Sequence, residues 1–292
     1  MKKIFITGAT GLLGSNLARR LAEQGNEVVC LVLKGTSHPF LNHPNIKLRE
    51  GNVLDLESVK NCMEGCDDVY HLAGIVSYYK KDYKKMHDVH VTGTKNVMQA
   101  AAELKVKRVA YTSSCATIGL QNSPHESQNE HTFFQKKYYN YGYMGTKKLA
   151  EEVVLNYAKQ IDISIICPTT VIGQGDTIMN FGALVKNIQQ GNIKIAPPGG
   201  TSVISVDDTV DAHLLVMEKG KRGEKYIFSN EYLPMIDFFN IIAEELKVKK
   251  IGKVLPRFAF YFLYPLSGSI ETFSNIINKK SPITKELINM SF

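Results

Sequence analysis

Three glycines at positions 8, 11 and 14, set between a short apolar run and an amphipathic stretch, restrict this chain more than any other feature. Lys3–Thr7 reads as a buried strand that runs straight into Thr7-Gly8-Ala9-Thr10-Gly11-Leu12-Leu13-Gly14. Beyond the turn, Leu13, Leu17 and Leu21, with Ala18 and Ala22, share one helical face that ends near Gly25. A strand–turn–helix of this kind uses its glycines for the tight turn, for close approach of a bound group, and for packing helix on strand. The start of the helix leaves N–H groups without partners and carries the positive end of the macrodipole, so a phosphate is the natural occupant.

The same unit recurs along the N-terminal half. Strands are expected at Glu27–Leu33, Ile46–Glu50, Val69–Ala73, Arg108–Ser113 and Ile163–Cys167, with helices at His90–Leu104 and Tyr143–Gln160. Apolar strands alternating with helices imply a parallel sheet covered on both faces, a doubly wound α/β (Rossmann) fold. After Pro168 the pattern loosens through the turn Pro197-Pro198-Gly199-Gly200. A strand is expected at Val203–Val206, a helix at Thr209–Gly220, a strand at Lys225–Ser229 and a helix at Met235–Leu246. Residues 1–175 are therefore assigned to a dinucleotide-binding domain to which 205–230 return. Residues 176–204 and 231–292 are assigned to a smaller C-terminal α/β lobe for substrate. Phe258–Leu266 is aromatic and apolar but short, which suits a lid or an interface better than a membrane anchor, with a peripheral lipid contact left open.

Composition narrows the function class. Hydrophobic residues make up 44% and charged residues 22%, ordinary values for a globular chain. No apolar run reaches the roughly 18–20 residues of a membrane span. The basic start Met1-Lys2-Lys3 leads into a strand that breaks at Thr7-Gly8, unlike a signal peptide. A cytoplasmic location is expected. The net charge of +7, with a cluster at Lys80, Lys81, Lys84 and Lys85, suits anionic ligands, and no nucleic-acid reader motif accompanies it. The cysteines Cys30, Cys62, Cys66, Cys115 and Cys167 are odd in number. Cys62 and Cys66 share a helical face, but no further ligand completes a zinc set, so reduced thiols and no metal are expected.

Which dinucleotide the turn would hold depends on the end of the second strand. An acid about 20 residues past the glycines usually holds the ribose hydroxyls of NAD. Here that count lands on Lys34, after Leu31, Val32 and Leu33. A lysine would attract a 2′-phosphate, so NADP is expected, with NAD still possible.

Tyr143-Met144-Gly145-Thr146-Lys147 sets a phenol and an ammonium four residues apart on one helical face. Carbonyl reduction needs an acid for the developing alkoxide, and a tyrosine near its ordinary pKa of about 10 is sluggish in that role. A neighbouring cation stabilises phenolate; lowering the pKa by ~3 units takes ~4 kcal/mol. The fifth strand ends in Tyr111-Thr112-Ser113-Ser114, at the edge where doubly wound sheets bind ligands, so Ser114 would hold the substrate oxygen together with Tyr143.

These segments resemble the extended branch of the short-chain dehydrogenase/reductase superfamily, the NAD-dependent epimerase/dehydratase group. The likeness runs in order through TGATGLLG (7–14), VYHLAG (69–74), VTGTKNV (91–97), YTSS (111–114), the Tyr143/Lys147 pair, PTTVIGQGD (168–176) and VDDTVDAH (206–213). Within the group the chain is similar to dihydroflavonol-reductase-like aldehyde and ketone reductases. The resemblance implies Ser114, Tyr143 and Lys147 as the catalytic set. It implies Thr7, Gly8, Thr10, Gly11, Leu12, Leu13 and Gly14 around the pyrophosphate, and Asn52 and Val53 against the adenine. Ala73 and Gly74 would lie beside the nicotinamide ribose, and Pro168, Thr170 and Val171 would border the nicotinamide. Relatives commonly pair as homodimers through the two helices that here are His90–Leu104 and Tyr143–Gln160.

Three departures accompany the likeness. His90 takes the place of a usual Asn, and a packed, hydrogen-bonded histidine is expected there. Cys167 replaces a frequent Arg. The chain ends at Phe292, ahead of many relatives, so part of the substrate lobe is expected to be missing. The function so implied is NADP(H)-dependent oxidoreduction of an aldehyde or ketone. The alternatives are a nucleotide-sugar epimerase or dehydratase with tightly held NAD, and a binding module that has kept the fold. Candidate pocket residues Ile75–Tyr79, Cys115–Gly119 and Tyr138–Tyr141 are apolar and aromatic and fit a hydrophobic carbonyl compound.

Overall fold

The computed structural model describes residues 1–120, 127–177, 180–276 and 284–291. Strands β1 (Lys3–Thr7), β2 (Glu27–Val32), β3 (Ile46–Glu50), β4 (Asp68–His71), β5 (Arg108–Thr112) and β6 (Ile163–Pro168) build one sheet with a later strand. Helices α1 (Leu12–Glu23), α2 (Leu56–Met63), α3 (Tyr83–His87), α4 (Thr94–Glu103) and α5 (Gly142–Tyr157) connect them. The chain continues through β7 (Thr170–Ile172), α6 (Asn180–Gln189), β8 (Gly200–Ser205), α7 (Val206–Lys219), β9 (Lys225–Phe228) and β10 (Glu231–Pro234). It ends in α8 (Met235–Glu245), α9 (Ala259–Ile276) and α10 (Lys285–Ser291).

The main sheet has seven parallel strands in the order β3-β2-β1-β4-β5-β6-β9. Strand order reverses between β1 and β4, and a ligand crevice opens at the carboxyl ends of strands that part in this way. Alternate residues of each strand feed two cores. Phe5, Val29, Val69, Val109, Ile163 and Ile165 pack with α2, α4 and α5 residues such as Val59, Val97 and Val154. Ile4, Ile6, Val28, Cys30, Tyr70 and Ile166 pack on the other side with Leu17, Leu21, Val210 and Val216 of α1 and α7. A parallel sheet buried on both faces needs continuous apolar strands, which is what these sequences supply.

A second sheet has the order β10-β8-β7, with β7 parallel and β10 antiparallel to β8. Its core gathers Ile188, Val203, Phe238, Phe239 and Ile242, with α6 and α8 over it.

Several elements differ from the sequence reading. The strand expected at Val69–Ala73 stops at His71, because the Ala73 N–H turns to the Thr7 hydroxyl at 3.2 Å instead of a neighbouring strand. The helix expected from His90 starts at Tyr83 and passes through a π-helical segment, Asp88–Gly93, before α4. Widened turns of this kind collect at functional sites. Cys66 lies past the end of α2, so it does not share a helical face with Cys62. The apolar segment Phe258–Leu266 leads into and forms the first half of an 18-residue helix, Ala259–Ile276, that runs through Pro265. Among the described residues no helix is long and apolar enough to cross a membrane.

Candidate active site

The glycine turn sits at the carboxyl end of β1 with the geometry a phosphate cradle needs. Gly8 has φ +75, a left-handed conformation that L side chains avoid. A Cβ there would lie 2.7 Å from Leu72 and Ala73 backbone, and one on Gly14 would lie 2.2 Å from the Gly8 carbonyl oxygen. No side chain fits either gap, so α1 and the β4 end press directly on the turn. Gly11 is the N-cap of α1 and carries no side-chain cap. Asp55 and Ser205 do cap their helices, accepting from N–H groups of α2 and α7. The α1 start, with Thr10, Leu12 and Leu13 half-buried around it, is left open to an external anion. Thr7 is engaged elsewhere, its hydroxyl 2.6 Å from His71 Nδ1. The residues present therefore fit a dinucleotide pyrophosphate.

At the neighbouring edge, Lys34 is exposed in the turn after β2. Sequence counting found no acid there, yet register places one: Val32 pairs with Glu50 of β3. Glu50 Oε1 accepts from the Gly35 N–H at 3.4 Å. A cation and a carboxylate thus frame the same position. Asn52 and Val53 follow β3; Val53 is buried, with its carbonyl held by Asn96 Nδ2 at 2.9 Å, and Asn52 is exposed.

Tyr143, Ser114 and Lys147 come together past the end of β5. Ser114 caps the short 3-10 turn Cys115–Ile118, its Oγ accepting from the Ala116 N–H at 3.2 Å. It also lies close enough to the Tyr143 phenol to act on its ionisation. Lys147 Nζ donates to the Thr112 carbonyl at 2.9 Å and sits 5.2 Å from the centre of the Tyr111 ring. A Cβ on Gly74 would be 3.4 Å from His90 Nε2 and 3.5 Å from Lys147 Nζ, so Gly74 reaches the same spot. Pro168 is buried at the end of β6. Thr170 and Val171 do not join this group: they lie on β7 in the second sheet, and Thr170 Oγ1 meets Thr201 Oγ1 at 2.9 Å.

The Tyr143 phenol is not lowered toward neutrality; burial pushes it up to about 12, although Ser114 acts against the rise. Burial likewise brings Lys147 down to about 8. Desolvation disfavours the charged form of both groups, and the ammonium gives one of its three donors to the Thr112 carbonyl.

Three buried histidines fix this framework. His90 Nε2 accepts from the Ile75 N–H at 2.9 Å, so Nδ1 carries the proton and faces Thr146 Oγ1 at 2.9 Å. Its ring stands edge-on to Tyr143, 6.0 Å between centres. Burial lowers its pKa to about 2, so it stays neutral. His71 is also fully buried and bridges Thr7 and Thr94. His213 Nδ1 donates to the Thr209 carbonyl at 2.7 Å, leaving Nε2 to accept from the Thr112 hydroxyl at 2.8 Å. His71 and His213 each tie a strand end to a helix, and His90 ties the loop after β4 to α5. Sequence reading singled out His90 alone; His71 and His213 stood inside recognised motifs without a signal for their bonding.

Glu286 was missed altogether. Its carboxylate, from α10, accepts from the Tyr143 N–H at 3.1 Å and the Met144 N–H at 3.0 Å. It therefore caps α5, the helix whose own N-cap, Tyr141, has no side-chain acceptor to offer. Above the site Met86, Phe134, Tyr138, Tyr143 and Met144 form an apolar cluster bordered by Ile75, Tyr78, Tyr139 and Tyr141. Tyr78 meets Tyr143 edge-on with 5.9 Å between ring centres.

Residues 4–229 match the model of the NAD dependent epimerase/dehydratase family. The chain is similar to sterol demethylase protein B of Methylococcus capsulatus, 31% identical over 229 residues that cover 78% of this chain and 69% of that one. It is 30% identical to a putative dihydroflavonol 4-reductase of Synechocystis sp. over 237 residues, 79% of this chain and 68% of the other. Among solved structures, gox2253 superposes with a TM-score of 0.85 at 28% identity, covering 100% of this chain and 88% of its own. The dTDP-glucose 4,6-dehydratase DesIV of Streptomyces venezuelae, solved with NAD and TYD, shares the fold at 20% identity, with a TM-score of 0.76 over 87% of this chain and 85% of that one.

Proposed function

The chain belongs to the NAD dependent epimerase/dehydratase family, and on that premise we propose that it is an oxidoreductase that moves a hydride between NADP(H) and the carbonyl carbon of a hydrophobic aldehyde or ketone. The observation that carries this reading is the meeting of a phenol, a hydroxyl and a buried ammonium, from Tyr143, Ser114 and Lys147, beside Gly74 at the open end of the sheet. Similarity to relatives named dihydroflavonol 4-reductase, cinnamoyl-CoA reductase and 2-alkyl-3-oxoalkanoate reductase supports a carbonyl substrate.

When bound, the dinucleotide supplies or takes up the hydride. The N–H groups of Leu12 and Leu13, with Gly8, Gly11 and Gly14 beneath, would hold its pyrophosphate. Lys34 would meet a 2′-phosphate, Asn52 and Val53 the adenine, and Ala73, Gly74 and Pro168 the nicotinamide end. Thr170 and Val171 would border the nicotinamide only from the second sheet. Tyr143 holds the proton that the substrate oxygen takes, and Ser114 orients that oxygen. Lys147, charged below about pH 8, lowers the cost of the phenolate left behind. The aromatic cluster of Tyr78, Phe134 and Tyr138 excludes water and favours an apolar substrate. Residues 176–204 and 231–292 form the substrate lobe in this reading.

Tyr143→Phe removes the proton donor and one hydroxyl while leaving the fold. Turnover in a nicotinamide absorbance assay with a carbonyl panel should fall by about 10²–10⁴, with NADPH affinity kept. Turnover within a few-fold of the parent would refute the assignment of Tyr143. Coenzyme copurifying at full occupancy, with no net absorbance change during turnover, would instead indicate an epimerase or dehydratase.

A further inference from the structure

The first half of α9 is apolar all round. Phe258, just ahead of it, and Tyr261, Phe262, Leu266 and Phe273 on it are each more than half exposed, and Pro265 is exposed with them. Spacings of three and four residues set them on one face of the helix. The inward face is apolar too, through the half-buried Phe260, Leu263, Tyr264 and Ile270, and adds the buried Ser267 and Ser274 and Glu271, which accepts from the Lys80 N–H at 2.8 Å. A surface helix of a globular protein ordinarily turns polar residues outward, and a contiguous exposed apolar face marks a contact.

Cations precede that face in the chain and meet its far end through a hydrogen bond. Lys247, Lys249, Lys250, Lys253 and Arg257 lead into the helix and are all exposed, and no acidic residue occurs from 246 to 270. Lys250 alone of these is ion-paired among the described residues, with Glu244 at 2.6 Å. Toward the other end, the Glu271–Lys80 bond brings in the exposed cluster Lys80, Lys81, Lys84 and Lys85, of which Lys84 pairs with Asp88. This cluster stood out in the sequence and the crevice does not use it. A second copy of the chain docked face to face would set one basic border against another. Acidic headgroups over an acyl boundary match both features at once.

We propose that the outward face of α9 lies in the interface of an anionic lipid bilayer, with Lys247–Arg257 and Lys80–Lys85 on the headgroups. The helix rests along the surface and does not cross it, in keeping with Pro265 at its middle. The same helix holds the Lys80 loop that leads back to Tyr78 and Tyr143, which ties the lipid-facing element to the apolar cluster beside Tyr143.

The chain has no tryptophan, so Phe262→Trp installs a single emitter on this face. Tyr232→Trp, exposed on β10, serves as the control. The full chain is mixed with vesicles of phosphatidylcholine alone or with phosphatidylserine added. Expected are co-sedimentation and a blue shift for Phe262→Trp with the anionic vesicles only, reversed by high salt, and no shift for Tyr232→Trp. Adding Lys253→Glu and Arg257→Glu, or Phe258→Ser and Phe273→Ser, should weaken binding at least tenfold while the thermal melt holds. The proposal is overturned if the chain stays in the supernatant with both vesicles, or binds both equally at high salt. It is also overturned if light scattering finds a dimer that Phe262→Asp converts to monomer.

Discussion

Replacing Glu286 by Ala tests whether the last helix sets the start of the one that carries Tyr143. In the intact chain this buried carboxylate accepts from Tyr143 N–H at 3.1 and 3.3 Å through its two oxygens, and from Met144 N–H at 3.0 Å. Alanine strands these donors at a buried helix start. Loss of a helix cap costs about 0.5–2 kcal/mol, and a buried donor left without an acceptor costs about 1–3 kcal/mol. Against this stands the desolvation of the carboxylate, which raises its pKa above the ordinary 4.5 despite the three backbone donors of Gly142, Tyr143 and Met144. The balance at neutral pH is a loss of about 2 kcal/mol, or about 3 °C in Tm for a chain of this size. The sign of the pH dependence follows from the raised value. The folded state takes up the proton more readily than the unfolded chain, so this contribution is fully present below about pH 4.5 and is lost as pH rises through the folded pKa. Urea unfolding should therefore show a larger penalty for Glu286→Ala near pH 4.5 than at pH 8, with Glu286→Gln, which keeps an acceptor oxygen, losing less than half as much. A variant that unfolds at the parent midpoint at both pH values, or a penalty that shrinks on acidification, would show the reasoning to be wrong.

Coenzyme choice rests on two opposed charges at the β2–β3 edge. Lys34→Ala should weaken NADPH binding relative to NADH by about tenfold, and Glu50→Gln should shift the same ratio the other way, both read by calorimetric titration; an unchanged ratio in both removes this edge from the selection. The Lys147 ammonium, brought down to about 8 by burial, should lose its proton as pH rises, so kcat/KM should fall through about pH 8. Because the folded value lies below the unfolded one, the same group makes folding more favourable as pH climbs from about 8 to 10.5. Lys147→Met lacking that kinetic limb fits the assignment, and the limb persisting contradicts it. A Cβ at Gly14 meets the Gly8 carbonyl oxygen at 2.2 Å, so Gly14→Ala should push α1 off the turn, cost about 1–3 kcal/mol by overpacking and abolish dinucleotide binding. Binding at parental affinity would mean that the turn yields.

The sequence by itself determined the doubly wound sheet. Apolar runs with local helical periodicity are short-range signals, and β1, β3 and the strand β6 fall where the pattern sets them. The glycine turn was legible for the same reason, since a φ of +75 with backbone 2.7 Å from where a Cβ would stand leaves room at position 8 for glycine alone. Tyr143 and Lys147 were legible because helical geometry converts a spacing of four into proximity. What tertiary structure alone decided is what depends on distant partners and on burial. Glu50 reaches the Lys34 turn only through strand register, and Glu286 caps α5 across 143 residues of sequence. The phenol rises and the ammonium falls because both are shut away from water, a property of packing that no spacing encodes. The aromatic helix α9 was visible as a segment, but which of its faces meets solvent follows from the inward path of Glu271 to Lys80. Local chemistry sets the elements; the dielectric, the register and the orientation of each face exist only once they are assembled.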